Sequence, residues 1–190
     1  MNPDLVLATE NDYQLIQNMA RFYVYDLSRT CGFISHEWAI PSDGLYECYD
    51  LKKYFNDPDR HAYLIKVDNE IAGFALIKQG FVIVDQEAPS SDSNWHLGEF
   101  FIQAKFQGKG IGRKIAHQIW EIFGGAWEVS VIPENKPAYN FWQKTIGAYT
   151  NGHYKEAICD VTFDVHQPKR IVFTFGACPK EKMNNTAKEV

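Results

Sequence analysis

The sequence predicts an α+β fold, in which one twisted mixed β-sheet of about six or seven strands is flanked by helices. Three observations lead to this prediction. Apolar-rich runs at 62–67 and 71–77 are joined by a short polar turn, which is typical of a hairpin. A strand, a glycine loop, a helix and a second strand follow one another over residues 96–132, as in a crossover connection. Two more strand-like runs, at 154–165 and 170–175, complete the sheet.

The chain before the hairpin is predicted to form a short strand, a helix and an irregular segment. Residues 5–8 are mostly apolar, and Thr9 or Asn11 can cap the helix that follows. Helical spacing relates the apolar residues Leu15, Ile16, Met19, Phe22 and Tyr23. Residues 30–60 contain glycines and prolines that break regular structure, with one short helix expected near 51–55.

The chain after the hairpin is predicted to alternate between strands and helices. Residues 81–84 are apolar and are predicted to continue as a strand. Isoleucines at helical spacing predict a helix over 111–123, which a pair of glycines ends. Residues 127–132 are predicted to form a strand, and 137–145 a helix with proline at its start.

Composition limits the class of protein. The chain has 190 residues, 45% apolar side chains and a net charge of −5, so we expect one domain over residues 1–178, with a polar C-terminal tail over 179–190. The acidic balance argues against a nucleic-acid partner, which requires a basic face. No export signal and no apolar run of about 20 residues is evident, so we expect a cytoplasmic protein with no membrane partner. The histidines and cysteines show no metal-ligand spacing, so no metal is expected.

The six residues Gln107-Gly108-Lys109-Gly110-Ile111-Gly112 stand between the predicted strand and the predicted helix. Glycines allow a close approach of ligand to backbone, and the free amides and dipole of a helix start favour an anion. Lys109 and Arg113 add positive charge beside the loop. The spacing does not fit a P-loop or a dinucleotide fingerprint, because Gln103 and Arg113 stand where glycines are required. We therefore expect a phosphorylated ligand held by a different kind of glycine loop.

The loop fits the pattern Gln/Arg-x-x-Gly-x-Gly/Ala, which resembles the pyrophosphate loop of the Gcn5-related N-acetyltransferases (GNAT). A second motif supports the resemblance: a strand ending at Pro133 is followed by Asn135, Ala138, Phe141-Trp142 and Lys144, with Gly147 beyond. The resemblance covers roughly residues 60–155 and extends to a bacterial subgroup of predicted acetyltransferases. It implies acetyl-coenzyme A as cofactor, bound where the strands on either side of the glycine-loop helix splay apart.

The resemblance also implies which residues bind the cofactor. The pantetheine arm is expected to pair with exposed backbone in the splayed gap, and the pyrophosphate is expected at the glycine loop. The implied set is Ile102, Gln103, Gln107, Gly108, Lys109, Gly110, Ile111, Gly112, Arg113, Asn135 and Trp142. A plain turn with a helix cap is the alternative explanation of the glycines.

Glu99 and Tyr139 are the candidate catalytic residues. Glu99 is a carboxylate inside an apolar strand, where burial raises its pKa and suits it to act as the general base. The alternative is an ion-paired or edge carboxylate. Many family members carry tyrosine, which can protonate the leaving thiolate, where this chain has Trp142. Tyr139, one turn earlier on the same helix, is the candidate acid; Tyr149, Tyr154 and solvent are alternatives.

Three residues are candidates for binding the acceptor. Asp26 lies on the apolar stripe of the first helix near Tyr23, so the pair can hold a cationic amine; a helix-end hydrogen bond is the alternative role for Asp26. Glu128 can be a second carboxylate at the site. His96 is three residues from Glu99, so a regular strand places it on the opposite face.

The function implied by the resemblance is transfer of an acetyl group from acetyl-coenzyme A to a primary amine, of a small molecule or a peptide. Direct attack in a ternary complex is expected, since no cysteine lies in either motif. The alternative is a non-catalytic acyl-coenzyme A binding module or sensor on the same fold. The loop does not distinguish acetyl from longer acyl groups or an amine from a hydroxyl acceptor, and a homodimer is a common outcome in the family.

Overall fold

The computed structural model describes residues 1–84 and 93–177. Seven strands form one sheet: β1 Pro3–Leu7, β2 Arg60–Val67, β3 Glu70–Gln79, β4 Asn94–Ile102, β5 Ala126–Val131, β6 Lys155–Asp160 and β7 Lys169–Gly176. Within the same described residues, four α-helices flank it: α1 Tyr13–Cys31, α2 Lys53–Asn56, α3 Ile111–Phe123 and α4 Lys136–Thr150. Short 3₁₀ turns occupy Glu10–Asp12, His36–Trp38 and Ala104–Phe106. The predicted fold class is confirmed.

The sheet has the order β1-β2-β3-β4-β5-β7-β6. Every pair of neighbours is antiparallel except β4 and β5, which run parallel. A parallel pair needs a crossover connection, and α3 provides it. The sheet is therefore mixed, and its one parallel pair lies at the centre, next to the glycine loop that begins the crossover helix.

Two apolar clusters cover the two faces of the sheet. On one face α1 buries Ile16, Met19 and Ala20 against Phe74 and Leu76 of β3. On the other face α3 and α4 cover a larger cluster. It includes Ile115, Ile119, Trp120, Trp127, Val129, Ile146 and Phe173. Alternation along each strand sends successive side chains to opposite clusters, which is why both layers form from the same strands.

Helix ends follow from local chemistry. Gly110 caps α3 with a φ of 77°, and Gly124 ends it with a φ of 64°, both values that side-chain-bearing residues avoid. Asn135 caps α4 by accepting a hydrogen bond from the Ala138 amide at 3.2 Å. The first residues of α3, at the glycine loop, and of α4, at the second motif, are therefore fixed by these caps.

A β-bulge and a splay interrupt the centre of the sheet. Leu76 of β3 pairs with Glu99, but the next residue, Ile77, pairs with Leu97, so Gly98 has no partner on β3. On its other side β4 pairs with β5 only as far as Leu97 opposite Val129. Beyond that pair the two parallel strands separate and leave a cleft between them, as the predicted splayed pair requires.

Some boundaries differ from the prediction. Residues 81–84 are not a strand, because their amides turn toward a buried side chain instead of pairing in the sheet. The last strand pair is shorter than predicted, since β6 ends at Asp160 and a loop fills the rest. The tail predicted over 179–190 lies outside the described residues, and the domain boundary at 178 stays a prediction. No helix within 1–84 and 93–177 has the length and apolar character needed to cross a bilayer.

Candidate functional site

A cavity of about 750 Å³ lies where β4 and β5 separate. The splayed strands form its floor, and α4 forms one side. The opposite side is built from α1, the segment 37–54 and the loop between β6 and β7. Residues facing it include Tyr23, Leu27, Trp38, Tyr49, Tyr54, His96, Gly98, Glu99, Ser130, Asn135, Trp142, Gln167 and Arg170.

The bulge at Gly98 determines which side chains of β4 enter the cavity. Because one residue is inserted between Leu97 and Glu99, the alternation of faces shifts, and His96 and Glu99 both line the cavity. The prediction that His96 points to the opposite face is wrong, because it assumed a regular strand. Gly98 also leaves room for Tyr54, whose hydroxyl lies only 2.7 Å from where a Cβ would stand.

Glu99 lies partly buried at the cavity wall. Tyr49 donates a hydrogen bond from its hydroxyl to Glu99 Oε1 at 2.7 Å, and Tyr23 hydrogen-bonds the same carboxyl group. Burial raises the pKa of the Glu99 carboxyl, although these two hydrogen bonds oppose the rise. A carboxyl group with a raised pKa in a cavity is suited to accept a proton from a ligand.

Tyr23 and Tyr49 hold this carboxyl group from two different elements. Tyr23 comes from α1 and packs its ring edge-on against Phe74 and Phe101. Tyr49 comes from the irregular segment before α2. Burial raises the pKa of both tyrosines, so both stay protonated and act as donors. Tyr23 is one of the predicted acceptor-binding residues. The contact of Tyr49 with Glu99 was not predictable, because nothing in an irregular segment indicates which side chain reaches a strand fifty residues away.

The cleft between β4 and β5 forms the second half of the cavity. Val129, Ser130 and Val131 line it from β5, and Asn135, Ala138 and Trp142 line it from α4 and its cap. Trp142 is 7% exposed, and its ring packs on Phe100 and Phe141 at centroid distances of 5.2 and 4.7 Å. The structure therefore brings the predicted pair Asn135 and Trp142 to the cleft.

The glycine loop stands at the start of α3. Gly108 and Gly110 have φ values of 71° and 77°, and a Cβ on either would meet open space. The first intrahelical bond runs from the Lys114 amide to the Gly110 carbonyl, so the amides before it are free for an anion. Lys109 and Arg113 are exposed beside them. The loop accordingly offers backbone donors, the helix dipole and two cations to an anionic ligand.

Two predicted cofactor residues anchor this loop to the sheet, and a third packs against α4. Gln107 donates from its side chain to the Ile102 carbonyl at 2.7 Å. Gln103 donates from its side chain to the Ile71 carbonyl at 2.9 Å, and its amide bonds Ala72. These contacts hold the loop on the end of β4. Gly112 packs tightly, since a Cβ there would lie 3.1 Å from the Phe141 ring.

Two predicted residues do not face the cavity. Asp26 is exposed, because the covered stripe of α1 continues through Val24 and Leu27 instead. Tyr139 donates to Glu156 at 3.1 Å and accepts from Gln143, on the side of α4 that stacks on β7. These positions do not support acceptor binding by Asp26 or acid catalysis by Tyr139. Helical spacing alone does not determine which side chains along one helix face point into a cavity.

Glu128 is fully buried and is not a cavity wall. Its carboxylate accepts hydrogen bonds from the amides of Val82, Ile83 and Val84 at 2.7 to 3.2 Å. It also contacts His96 Nδ1 at 2.7 Å. A substrate cannot touch a carboxylate enclosed in this way, so its predicted contact with the acceptor is not supported.

Comparison with known proteins places this geometry in a family. The model of the acetyltransferase (GNAT) family matches residues 22–148. An acetyltransferase from Thermus thermophilus superimposes with a TM-score of 0.63 at 18% identity, over 93% of this chain and 97% of that one. Aminoglycoside acetyltransferase AAC(6')-Ib in complex with coenzyme A gives 0.59 at 15% identity, over 92% and 95%.

The ribosomal-protein-S18-alanine N-acetyltransferase from Escherichia coli gives a TM-score of 0.55 at 12% identity, over 96% of this chain and 99% of that one. At such identities the likeness to solved structures shows the fold. A search of curated proteins by sequence finds no match. The family model covers more than half of the chain, and the protein therefore belongs to the acetyltransferase (GNAT) family.

Proposed function

We propose that this acetyltransferase transfers the acetyl group of acetyl-coenzyme A to a primary amine by direct attack, with Glu99 as the general base. Acetyl-coenzyme A is the cofactor of the family to which the chain belongs. The observation that carries the proposal is the position of Glu99. Its carboxyl group lines the cavity that includes the cleft between β4 and β5. An amine that enters the cavity from the side of α1 therefore meets a proton acceptor next to the cleft.

The residues present fit coenzyme A. The cofactor carries a pyrophosphate, for which the open side of Gly108 and Gly110 and the start of α3 provide amides and positive charge. Its long, largely uncharged arm fits the cleft, because the edges of β4 and β5 that face each other no longer pair beyond Leu97 and Val129. Trp142 closes the cleft from the side of α4. When bound, the cofactor supplies an activated acetyl thioester to this cavity.

Glu99 removes a proton from the amine nitrogen. Burial keeps the pKa of its carboxyl group above the ordinary glutamate value, nearer to the pH at which a base must both accept and release protons. Tyr49 and Tyr23 fix the orientation of the carboxyl group by donating to it. The amine nitrogen then attacks the acetyl carbon, and no covalent enzyme intermediate is needed.

Protonation of the leaving thiolate does not come from α4. Among the described residues of that helix, Ala138 and Trp142 line the cavity, and neither carries an acidic proton. Tyr139 faces away, and Tyr149 and Tyr154 pack against the apolar cluster under α3 and α4. Burial raises the pKa values of Tyr23, Tyr49 and Tyr54 on the cavity wall, which makes these hydroxyls poor proton donors compared with solvent entering the open cavity. We therefore propose that water protonates the thiolate.

The acceptor is proposed to be an amine with a sizeable organic body. The wall opposite the cleft carries aromatic rings from Tyr23, Trp38, Tyr49, Tyr54 and Phe163, which can pack on carbon and on a cationic amine. Two proteins of the same fold are named for amine acceptors, an aminoglycoside and the alanine of a ribosomal protein. Kanamycin and an alanine-initiated peptide are therefore sensible first acceptors to test.

The test is calorimetric titration with acetyl-coenzyme A, followed by free-thiol release with a panel of amines. Binding followed by amine-dependent thiol release is expected. Release that does not depend on an amine would contradict acetyl transfer to nitrogen. Tight binding without turnover on any amine would favour a non-catalytic acyl-coenzyme A sensor instead.

A further inference from the structure

The Glu128–His96 pair is the part of the cavity region that the proposed function leaves unused. Glu128 is 0% exposed and lies on β5 directly opposite His96 of β4, the last but one pair before the strands separate. The imidazole Nδ1 lies 2.7 Å from Glu128 Oε1. His96 is 8% exposed and is part of the cavity wall. A histidine on the wall is thus backed by a carboxylate that no ligand can reach.

The surroundings of Glu128 keep it ionised. Burial by itself would raise the pKa of its carboxyl group, but the hydrogen bond with His96 and the amides of Val84 and Val82 lower it. Its two oxygens receive three backbone amides from residues 82–84. An ionised carboxylate can only accept, so Nδ1 of His96 must carry a proton and donate it to Glu128.

The tautomer of His96 follows from this contact. With the proton on Nδ1, the neutral ring has its lone pair on Nε2, on the side away from Glu128. Within residues 1–84 and 93–177 no hydrogen-bond partner of Nε2 is found. The neighbouring ring atom Cδ2 lies 3.8 Å from where a Cβ at Gly98 would stand. His96 lines the cavity beside the Gly98 bulge that also positions Glu99, so the free nitrogen belongs to a side chain of the cavity wall.

The number of protons that the amine loses in the reaction requires a second proton-accepting group besides Glu99. At neutral pH an alkyl amine is an ammonium ion. Conversion of the ammonium to an amide forms the N–C bond, breaks the C–S bond and removes two protons from nitrogen. Because water is proposed to protonate the thiolate, both protons from nitrogen pass to groups of the cavity and then to solvent, where one of them restores the water. Glu99 holds only one proton at a time, so the other needs a group within reach of the same cavity.

We infer that His96 is the second proton acceptor of the site and that Glu128 is its positioning residue. The inference rests on the proposed function. His96 Nε2 takes the proton of the ammonium, directly or by way of Glu99, and the resulting imidazolium is held by the Glu128 carboxylate before it releases the proton to solvent. The bulge at Gly98 is what allows both groups to serve one cavity.

The charged and titratable groups around the pair come from several strands. Glu99 lies on β4, Lys78 on β3 opposite His96, and Arg60 on β2, and all three line the cavity. Arg170 of β7 lines it too, and on β6 burial, with a smaller contribution from the Glu128 charge, raises the pKa of the Cys159 thiol. Glu37, Glu47 and Asp164 also line the cavity, so an ammonium ion meets several carboxylates as well as cations along the wall that includes His96.

The first test needs no acceptor and measures the tautomer. Nitrogen-15 spectra of the imidazole in the full chain are expected to show neutral His96 with its proton on Nδ1, hydrogen-bonded and slow to exchange. A neutral ring with its proton on Nε2 would overturn the inference, because that nitrogen could not accept.

The second test separates His96 from the fold. In His96→Gln the side-chain amide can still donate to Glu128, but it cannot accept a catalytic proton. With the best amine found for the wild-type chain, at neutral pH, we expect kcat to fall by about a hundredfold. The loss should shrink to a few fold with trifluoroethylamine, which is already uncharged at that pH and gives up only one proton.

The matched control is His153→Gln, in which an exposed histidine that hydrogen-bonds the Thr150 carbonyl receives the same substitution. It should leave kcat unchanged. Equal kcat for wild type and His96→Gln, or an equal loss with both kinds of amine, would overturn the inference. Failure of the wild-type chain to use any amine would instead refute the proposed function, and the tautomer would still decide the state of His96.

Discussion

Glu99 and Glu128 lie on neighbouring strands close to the same cavity, yet their surroundings are opposite. Glu99 is at the cavity wall with two tyrosine hydroxyls, and burial raises the pKa of its carboxyl group. Glu128 is enclosed, and burial alone would raise its pKa, but His96 and the backbone amides more than offset that and lower it. The difference shows that burial alone does not determine the direction of the pKa shift of a carboxyl group. The number of hydrogen-bond donors around the buried carboxyl group decides whether its pKa rises or falls.

The two environments suit two roles. A carboxyl group with few donors accepts a proton readily, which fits a base that faces a ligand. A carboxylate with many donors holds its charge and orients a neighbour, which fits a group behind the wall. Four experiments test this distinction, and they follow in order of decreasing size of effect.

Glu99→Gln should lower kcat by about a thousandfold, because the amide keeps the shape of the side chain but cannot accept a proton. Steady-state thiol release with the best amine measures it, and calorimetry should show unchanged affinity for acetyl-coenzyme A. Asp26→Asn is the matched control, since Asp26 is an exposed carboxylate outside the cavity. Equal turnover in wild type and Glu99→Gln would remove Glu99 from the mechanism.

Glu128→Gln should lower the free energy of unfolding by about 3 kcal/mol at pH 7, because one partner of a buried pair is removed. The pKa of Glu128 is lower in the folded chain, so its stabilisation is present above the ordinary glutamate pKa and is lost as pH falls through the lowered value. Urea unfolding of wild type and variant across this acidic range measures the difference in their free energies of unfolding. A difference between variant and wild type that does not shrink in acid would show that Glu128 is not ionised.

Glu99→Gln is expected to change stability with the opposite sign. Since the pKa of Glu99 is raised on folding, its contribution to stability is complete below the ordinary glutamate pKa and is lost as pH rises through the raised value. The variant should therefore be more stable than wild type at pH 7, and this advantage should disappear in acid. The same urea series records both variants, and a loss of stability at pH 7 would contradict the direction given for Glu99.

Gly110→Glu should weaken acetyl-coenzyme A binding by about thirtyfold, because it brings a negative charge to the start of α3 and blocks the loop. Gly44→Glu is the matched control, because Gly44 has nearly the same φ, 76°, and also has no atom near a Cβ. Both substitutions should carry similar backbone strain, so calorimetric affinity isolates the role of the loop. An equal affinity for the two variants would mean that the loop does not bind the anion.

Much of the architecture was predictable from the sequence. Hydrophobic alternation and glycine positions indicated the strands around the cleft, and the spacing of Gln107, Gly110 and Gly112 indicated the loop at the start of α3. These features depend on neighbours in the chain, which a sequence displays directly.

The site was predictable only in part, because its details depend on one inserted residue and on distant contacts. Gly98 bulges from β4 and turns His96 toward the cavity, which strict alternation excludes. Residues 82–84 form no strand, because Glu128 takes their amides. Tyr49 reaches Glu99 from an irregular segment. Each is a tertiary contact that overrides a local pattern.

The most direct measurement is a carbon-13 titration of the glutamate carboxyl groups in the intact chain, with Glu99→Gln and Glu128→Gln used to assign the two signals. The pKa of Glu99 should lie above that of an ordinary glutamate and the pKa of Glu128 below it. Titration of both groups at the ordinary value, or in the reverse order, would contradict the division into a base that faces the ligand and a carboxylate that supports it.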